Sequence, residues 1–353
     1  MTRSEAVLVP LGAMLAGMLV FGVFCAALGV NPLLVYASIY KAGFGSWYSW
    51  QNTLVRASPL LLTGLCTAIP ARAGIIVIGN EGAVVVGGLG AITGGLATLS
   101  FPPFLSLTVM VLSAILCGGV WIAFSVALQH YRGVSAVISG LLLSYLAIAL
   151  MNQLIEGPLR DPSSLDNPAS YPLTPDHRLF YFSGTHVHHG LIFGLIACAL
   201  AWFLIERTTF GFAMKISGGN VRAAQLSGLP VGRLVVIAGF VGGACAGVAG
   251  MVEVAAVHGR ANESLNAGYG YAGILVAFLA RQNPIGVVVV SLLLGGLLAS
   301  GGMLQRAHDL PDAAIAVLQG ILFLFILLSD TVYGRFKFPW SRSRETKIDA
   351  AAA

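Results

Sequence analysis

The sequence carries little charge. Only 9% of its 353 residues are Asp, Glu, Lys or Arg, whereas soluble globular domains are about a quarter charged. The net charge of +5 does not indicate nucleic-acid binding, because no basic run with interleaved aromatic residues occurs. With 57% hydrophobic residues and a mean hydropathy of +0.86, the composition predicts an all-α polytopic membrane protein.

Motifs that carry chemistry in common enzymes are also missing. No GxxxxGK loop occurs, so the chain itself is not expected to bind ATP in that way, and no GxSxG or HExxH occurs. We therefore expect no catalytic residues, no bound cofactor and no metal. The cysteines form no CxxC and lie in apolar segments, which favours core positions over disulfides or metal ligands: Cys25, Cys66, Cys117, Cys198 and Cys245.

Apolar runs of about 20 residues, the length that crosses a bilayer, recur along the chain. We expect about ten transmembrane helices, the first of them an uncleaved N-terminal helix. The eighth is short for a full crossing, so it is either tilted or broken. Their approximate limits are residues 7–29, 52–70, 74–99, 104–129, 134–152, 189–205, 233–257, 269–280, 284–304 and 312–333.

The distribution of basic residues supports an even number of crossings. With both termini cytoplasmic, thirteen of the nineteen Lys and Arg residues fall on the inner side, as the positive-inside rule requires. This prediction makes residues 1–334 a single transmembrane domain with a cytoplasmic tail at 335–353. A proline-rich loop at 153–188 then lies on the periplasmic side.

The most polar stretch between apolar segments is residues 206–233. Asn220 is placed to cap a short helix, and Gly228 is placed to end it as a C′ glycine. This segment is either a solvated cytoplasmic loop or a docking helix for a cytoplasmic partner.

Two acidic residues lie well inside predicted crossings. A carboxylate in a bilayer is costly and therefore indicates a cavity or a partner. Glu81 is flanked by Asn80 and Gly82, which predicts a helix broken between Gly79 and Gly82, with Glu81 capping the break, lining a solute path, or both. Glu253 lies near the outer end of its helix, where the favoured interpretation is a carboxylate that reaches the external water.

Two other patterns leave alternatives open. The histidines from His186 to His189 fit either a metal site or, by the favoured interpretation, a wet loop, since their spacing matches no strong signature. Small residues recur every four positions in the seventh crossing, which indicates close helix packing within the subunit or at a dimer seam. They form two stripes: Gly239, Gly243 and Gly247, and Gly242, Ala246 and Gly250.

Four segments, taken in order, resemble the permease subunits of ABC-type importers that serve sugars, nucleosides and branched-chain amino acids. The resemblance covers about residues 50 to 330 and is closest to the nucleoside or purine branch. The segments are SPLLLTGLCTAIPARAGIIVIGNEGAVVVGG (58–88), GVSAVISGLLLSYLA (133–147), ERTTFGFAMKISGGNVRAAQLSGLPVGR (206–233) and AGYGYAGILVAFLARQNPIGVVVVSLLLGGLLASGG (267–302).

The resemblance implies an ATP-driven importer of the bacterial inner membrane. It implies a heterodimer with a sister permease, an ATPase subunit that docks on a coupling helix at 220–227, and a lipoprotein-type solute-binding protein that meets the loops at 153–188 and 258–268. The positions that match the coupling motif are Arg222, Ala223, Ala224 and Gly228, capped by Asn220. Expected solute-path residues are Asn80, Glu81, Gly82 and Glu253.

The sequence departs from this family at several positions where polar residues are common. It has Val77 for Asn, Ala83 for Gln, Ser135 and Ala136 for Asn-Glu, and Ser144 for Asn. The expected solute is a nucleoside or a related purine or pyrimidine compound, and a simple sugar is the alternative. Hypotheses from other classes are a proton-coupled carrier that uses Glu81 and a membrane scaffold without a transport role.

Overall fold

The computed structural model describes the backbone of residues 5–164, 167–311 and 313–332. The described part is helical, with isolated β-bridges in its loops. Its α-helices are α1 (Glu5–Ala27), α2 (Pro32–Phe44), α3 (Trp47–Arg72), α4 (Asn80–Ala97), α5 (Pro103–Arg132), α6 (Ala136–Glu156), α7 (Gly190–Arg207), α8 (Thr209–Gly219), α9 (Val221–Leu226), α10 (Val231–Val252), α11 (Tyr269–Leu279), α12 (Pro284–Ala299), α13 (Gly301–His308) and α14 (Ala313–Val332).

A helix occupies each of the ten segments predicted to cross the membrane, which makes the chain a multi-pass protein. In the described part, six helical stretches are long and apolar enough to cross unaided, or seven if the bent pair α1 and α2 counts as one. The count of ten crossings and the side of each terminus stay predictions. Helix α2 was not predicted, and Arg3 and the tail at 335–353 lie outside the described residues.

The chain divides into two compact units. In the smaller, residues 1–35 with 312–353, α1 packs on α14, where Gly17 lies against Leu322. The larger unit, residues 36–311, holds the remaining helices. At its centre α3, α4, α5 and α10 pack against one another, and α11 and α12 lie on α3.

Glycines bring α4, α5 and α10 into backbone contact. A Cβ atom added at Gly247 would overlap the carbonyl oxygen of Ala114 on α5, and one added at Gly87 on α4 would overlap Gly247 itself. On the second stripe, Gly250 lies against the carbonyl of Val84. Both stripes of small residues therefore pack inside the subunit, which decides between the two alternatives left open by the sequence.

The predicted break in the third crossing takes a different form from the one expected. Instead of a helix interrupted between Gly79 and Gly82, residues 73–79 are not helical, and α4 begins at Asn80. Burial along this segment alternates, with Ala73, Ile75 and Val77 buried and Ile76 44% exposed, as in an extended strand. Four of its seven residues are buried in protein, which is where a membrane protein tolerates non-helical chain.

The contact at Gly247 gives a direct test of this packing. We expect Gly247→Ala to lower the free energy of unfolding by about 1–3 kcal/mol, because the added methyl group forces α10 away from α5. The measurement is thermal unfolding of the purified protein in detergent. Gly320→Ala is the matched control, since no atom lies within 4 Å of its added Cβ; equal melting temperatures for the two variants would contradict the packing described here.

Candidate functional site

Two helices start at the same depth and run in opposite directions. Asn80, the first residue of α4, contacts α3 at Thr63, with its Nδ2 3.2 Å from the Thr63 carbonyl oxygen. Gly273, in α11, lies against the same threonine. From this level α4 runs toward the loop at 153–188, where Gly95 meets Leu173, and α11 runs toward the end that carries Arg72. The positive N-terminal ends of two helix dipoles therefore meet inside the protein.

Glu81 lies between these two helix starts. It occupies the first turn of α4 and is fully buried. Its Oε1 accepts the backbone N–H of Gly268 at 2.8 Å, and its Oε2 accepts that of Gly270 at 2.6 Å. The carboxylate thus caps α11, a helix remote in sequence, and interacts favourably with both positive ends.

Close backbone approach makes this geometry possible. A Cβ atom at Gly270 would overlap the backbone of Glu81, and Gly268 has a φ of +80°, a conformation that glycine adopts without strain. On the other side, Gly82 donates its N–H to Ser144 Oγ at 3.2 Å. Both α11 and α6 are therefore held against the first turn of α4.

Asn80 completes the interior of the site. Its Nδ2 also donates to Thr67 Oγ1 at 2.7 Å, and that hydroxyl lies 3.4 Å from the carbonyl oxygen of Val77. The side chain therefore ties the end of the extended segment to α3. Asn80, Glu81 and Gly82 are all buried and touch three different helices.

Glu253 does not reach external water, and the interpretation favoured from the sequence is wrong. Its side chain is only 4% exposed and lies where α10 continues as the π-helix Glu253–His258. One oxygen is 3.6 Å from His258 Nε2. Glu253 also interacts electrostatically with Arg56 and Glu81, so the two predicted acidic residues belong to one cluster.

Sequence reasoning missed four residues of this cluster. Arg56 lies inside the predicted crossing at 52–70, as the tenth residue of α3, about 14 Å from the start of that helix. It is exposed and lies close enough to the side chain of Tyr269 to interact with it electrostatically. Tyr271 is 40% exposed and Tyr145 is 64% exposed. Tyr271 lies within electrostatic range of both Tyr145 and Glu81. A lone arginine in an apolar run was the available signal for Arg56.

The positions that depart from the resembled family are mostly buried. Val77 and Ala83 have no exposed surface, and Ala136 is 2% exposed. Ser144, in addition to accepting from Gly82, donates to the carbonyl of Gly140 at 3.0 Å. Four of the five side chains, all except Ser135, therefore reach no open surface of this subunit, and these changes adapt helix packing.

The short polar helix forms as predicted. Asn220 Oδ1 accepts the N–H of Ala223 at 3.0 Å and begins α9, and Gly228 follows its end with a φ of +76°. Ala224 is buried, whereas Arg222 is exposed and Leu226 is 85% exposed. An exposed leucine beside an exposed arginine makes α9 suited to receive another protein.

The histidine-rich loop folds back onto the chain. The backbone N–H of His186 donates to Gln51 Oε1 at 2.8 Å, and the ring of His189 packs on Phe182. Burial lowers the pKa of His188 to about 4, and the neighbouring His189 contributes to this shift. Among the described residues, no three His, Cys, Asp or Glu side chains converge as metal ligands would.

A family model described as "Branched-chain amino acid transport system / permease component" matches residues 49–327. The chain belongs to this family. It is a multi-pass permease subunit of the ABC-importer type, and its family members are transport components.

Three relatives match over nearly their whole length. The glucose ABC transporter permease protein TsgB13 of Haloferax volcanii is 28% identical, covering 91% of this chain and 87% of TsgB13. The guanosine ABC transporter permease protein NupP of Bacillus subtilis is also 28% identical, covering 93% and 94%. The nucleoside ABC transporter permease protein NupB of Lactococcus lactis is 26% identical, covering 92% and 91%.

All three organisms have a second permease protein of the same named system that also resembles this chain. In H. volcanii it is the putative glucose ABC transporter permease protein TsgC13, 24% identical over 75% of the chain and 80% of TsgC13. NupQ of B. subtilis is 25% identical over 78% of the chain and 89% of NupQ. NupC of L. lactis is 24% identical over 78% of the chain and 90% of NupC. Relatives named for nucleosides and for glucose thus stand at similar identity.

The hydrogen bonds of Glu81 predict a loss of stability on amidation. In Glu81→Gln, one carboxylate oxygen becomes an NH₂ group that cannot accept, so one buried N–H of Gly268 or Gly270 loses its partner. We expect a cost of about 1–3 kcal/mol, measured as thermal unfolding in detergent. Glu263→Gln, at an exposed loop position, is the control; a Glu81→Gln protein as stable as this control would refute the capping role.

The cap of α9 gives a second, local prediction. Asn220→Ala removes the acceptor for the N–H of Ala223, and such caps contribute about 0.5–2 kcal/mol. Hydrogen exchange of the amides at 221–226 is expected to accelerate, with the rest of the protein unchanged. Asn220→Asp keeps the acceptor and should exchange like the original protein. If both variants exchange alike, the side-chain cap is not what orders α9.

Proposed function

We propose that this subunit imports nucleosides, or related purine and pyrimidine compounds, across the bacterial inner membrane. The observation that carries the proposal is the cluster around Glu81, where two helix starts meet beside exposed tyrosines. Discontinuous helices whose N-termini converge within a membrane domain are typical of solute sites. In this arrangement ten crossings place both termini and α9 in the cytoplasm and the loop at 153–188 outside.

Aromatic side chains support a nucleoside as the solute. Tyr145 on α6 and Tyr271 on α11 present exposed rings close to each other, and Tyr271 is also close to Glu81. Stacking of a base on an aromatic ring contributes about 1–3 kcal/mol and tolerates different bases. The exposed guanidinium of Arg56 carries five N–H donors, which suit the carbonyl and ring-nitrogen acceptors of a base.

The partners follow from the same proposal. A sister permease would cover the exposed rings and complete the path, in line with the paired permeases NupP with NupQ and NupB with NupC. A separate ATPase subunit binds and hydrolyses ATP and docks on α9 through Arg222, Ala223 and Leu226, with Ala224 and Gly228 fixing the helix. A solute-binding protein delivers the nucleoside to the loops at 153–188 and 258–268.

Transport then proceeds by alternating access. ATP binding and hydrolysis on the partner displace α9, and the glycine-packed helices shift between outward-facing and inward-facing arrangements. Asn80, Glu81 and Gly82 hold α11 and α6 in place, while Glu253 contributes negative charge beside Arg56. The chain itself holds no cofactor in this scheme.

A proton-coupled carrier is the competing function, and the geometry disfavours it. Both oxygens of Glu81 accept backbone N–H groups, so protonation would weaken one of these hydrogen bonds and place an O–H donor among backbone N–H donors. Glu81→Gln is therefore expected to disturb transport in both mechanisms, so this variant does not distinguish a proton-coupled carrier from an ATP-driven importer. Arg222→Glu does separate them, because only an ATPase-driven importer needs α9.

The test is guanosine uptake by the complete reconstituted complex. We expect uptake to stop when ATP hydrolysis is blocked with the proton gradient intact, and to be lost in Arg222→Glu. Excess adenosine or uridine should compete, whereas excess glucose should not. If glucose competes and the nucleosides do not, the solute is a sugar. Uptake that persists without ATP hydrolysis would refute the ABC mechanism.

One variant connects the solute to the exposed rings. Tyr271→Leu is expected to weaken guanosine uptake about five- to a hundredfold by loss of stacking, while Tyr271→Phe retains it. Tyr40→Leu is the matched control, because Tyr40 is 67% exposed on α2 and is not part of the Glu81 cluster. Equal uptake by the Tyr271→Leu and Tyr40→Leu complexes would remove the tyrosine from the path.

A further inference from the structure

Residues 72–81, which we call the strap, connect α3 to α4. The backbone of the strap contacts the backbones of α8 and α11. Seven of these residues, 73–79, are not helical, and the first two of them form a turn. The strap bends at Gly74, whose φ of +83° lies in the left-handed region. Its contacts at each end link parts of the protein that are distant in sequence.

At its first end the strap meets α8, the helix that leads into α9. A Cβ atom at Gly218 would overlap the carbonyl oxygen of Arg72 and lie 3.0 Å from the backbone nitrogen of Gly74. A Cβ at Gly74 would in turn lie 3.1 Å from Gly218 Cα. Because no side chain separates these backbones, a displacement of α8 toward the strap has to move residues 72–74.

Arg72 also holds the turn that follows α11. Its Nε donates to the carbonyl oxygen of Gln282 at 3.0 Å. Gln282 and its neighbour Arg281 have φ values of 58° and 50°, which non-glycine residues rarely adopt without support from their surroundings. The strap therefore fixes a strained turn at the C-terminal end of α11.

At its second end the strap holds the opposite end of α11. Glu81 accepts the N–H groups of Gly268 and Gly270, as described above. Helix α11 has 11 residues and is about 16 Å long. Glu81 caps its N-terminal end, and Arg72 hydrogen-bonds the turn that follows its C-terminal end. A helix attached at both ends to one segment moves with that segment.

We propose that the strap is the element that transmits movement of α9 to the solute site. A force on α9 passes through α8 and Gly218 to Arg72 and Gly74, and the strap then carries α11, with Tyr271 on it, as one body. Arg72 is a positioning residue in this relay, because it acts through α11 and does not touch the solute. The proposal rests on the proposed function of α9 as the docking site of an ATPase subunit.

Adjacent glycines provide the experiment. In Gly218→Ala the added methyl group forces α8 away from the strap, whereas Gly219→Ala meets no atom within 4 Å. With the full complex in proteoliposomes, we expect Gly218→Ala to lower the amount of guanosine imported per ATP hydrolysed by about fivefold or more. We expect Gly219→Ala to match the original complex, and ATPase co-purification to be unchanged in both.

Two results would overturn the relay. One is equal transport per ATP in the Gly218→Ala and Gly219→Ala complexes. The other is loss of the ATPase subunit from the Gly218→Ala complex, which would assign Gly218 to docking. If the original complex shows no ATP-driven guanosine uptake at all, the proposed function fails instead, so the two failures are distinguishable.

A second variant decides the matter if Gly218→Ala does not fold. Arg72→Met removes the hydrogen bond to Gln282 and leaves Gly218 unchanged. We expect ATP hydrolysis to continue with import per ATP reduced about fivefold or more. Arg207→Met is the control, since it removes a charge from the end of α7, where the guanidinium stacks on Trp202. An Arg72→Met complex that transports like this control contradicts the relay.

Discussion

The structure depends on one carboxylate placed between two helix ends. Starting a helix inside a protein leaves backbone N–H groups without partners, and starting two at the same place doubles the problem. Glu81 accepts two of these groups directly, and it opposes the positive ends of both dipoles. Since its partners lie nearly 190 residues further along the chain, this contact joins the first and last thirds of the larger unit.

Close packing by glycine makes this arrangement possible. Lipid supplies no hydrophobic driving force between helices, so their association relies on close van der Waals contact and hydrogen bonds. Gly247 and Gly250 bring α10 onto α5 and α4, and Gly270 brings α11 onto the first turn of α4. The same contacts leave little freedom for single helices, so movement of the bundle has to involve groups of helices that pack together.

The sequence predicted local structure better than it predicted tertiary contacts. The cap at Asn220 and the glycine after α9 depend on neighbouring residues, and both were read correctly from their spacing. Break signals around Glu81 located the start of α4, but its capping partners at Gly268 and Gly270 are remote and carry no local signal. Glu253 was misjudged because its position near a helix end says nothing about the π-helix and loop that bury it. Helix α2 was missed because Tyr40 and Lys41 interrupt its apolar run.

Charge around the site bears on the kind of solute that fits. Arg56 contributes a positive charge, Glu81 and Glu253 contribute negative charges, and the two helix N-termini contribute about half a positive charge each. With both carboxylates ionised these contributions sum to nearly zero, so the region then neither attracts anions strongly nor repels them in favour of cations. A phosphorylated nucleotide would bring charge with no counterpart there, whereas a nucleoside brings none. This charge balance is compatible with the proposed nucleoside and equally with a simple sugar, since both are neutral. Within the proposal, stacking on the aromatic rings of Tyr145 and Tyr271 is what would distinguish a base from a sugar.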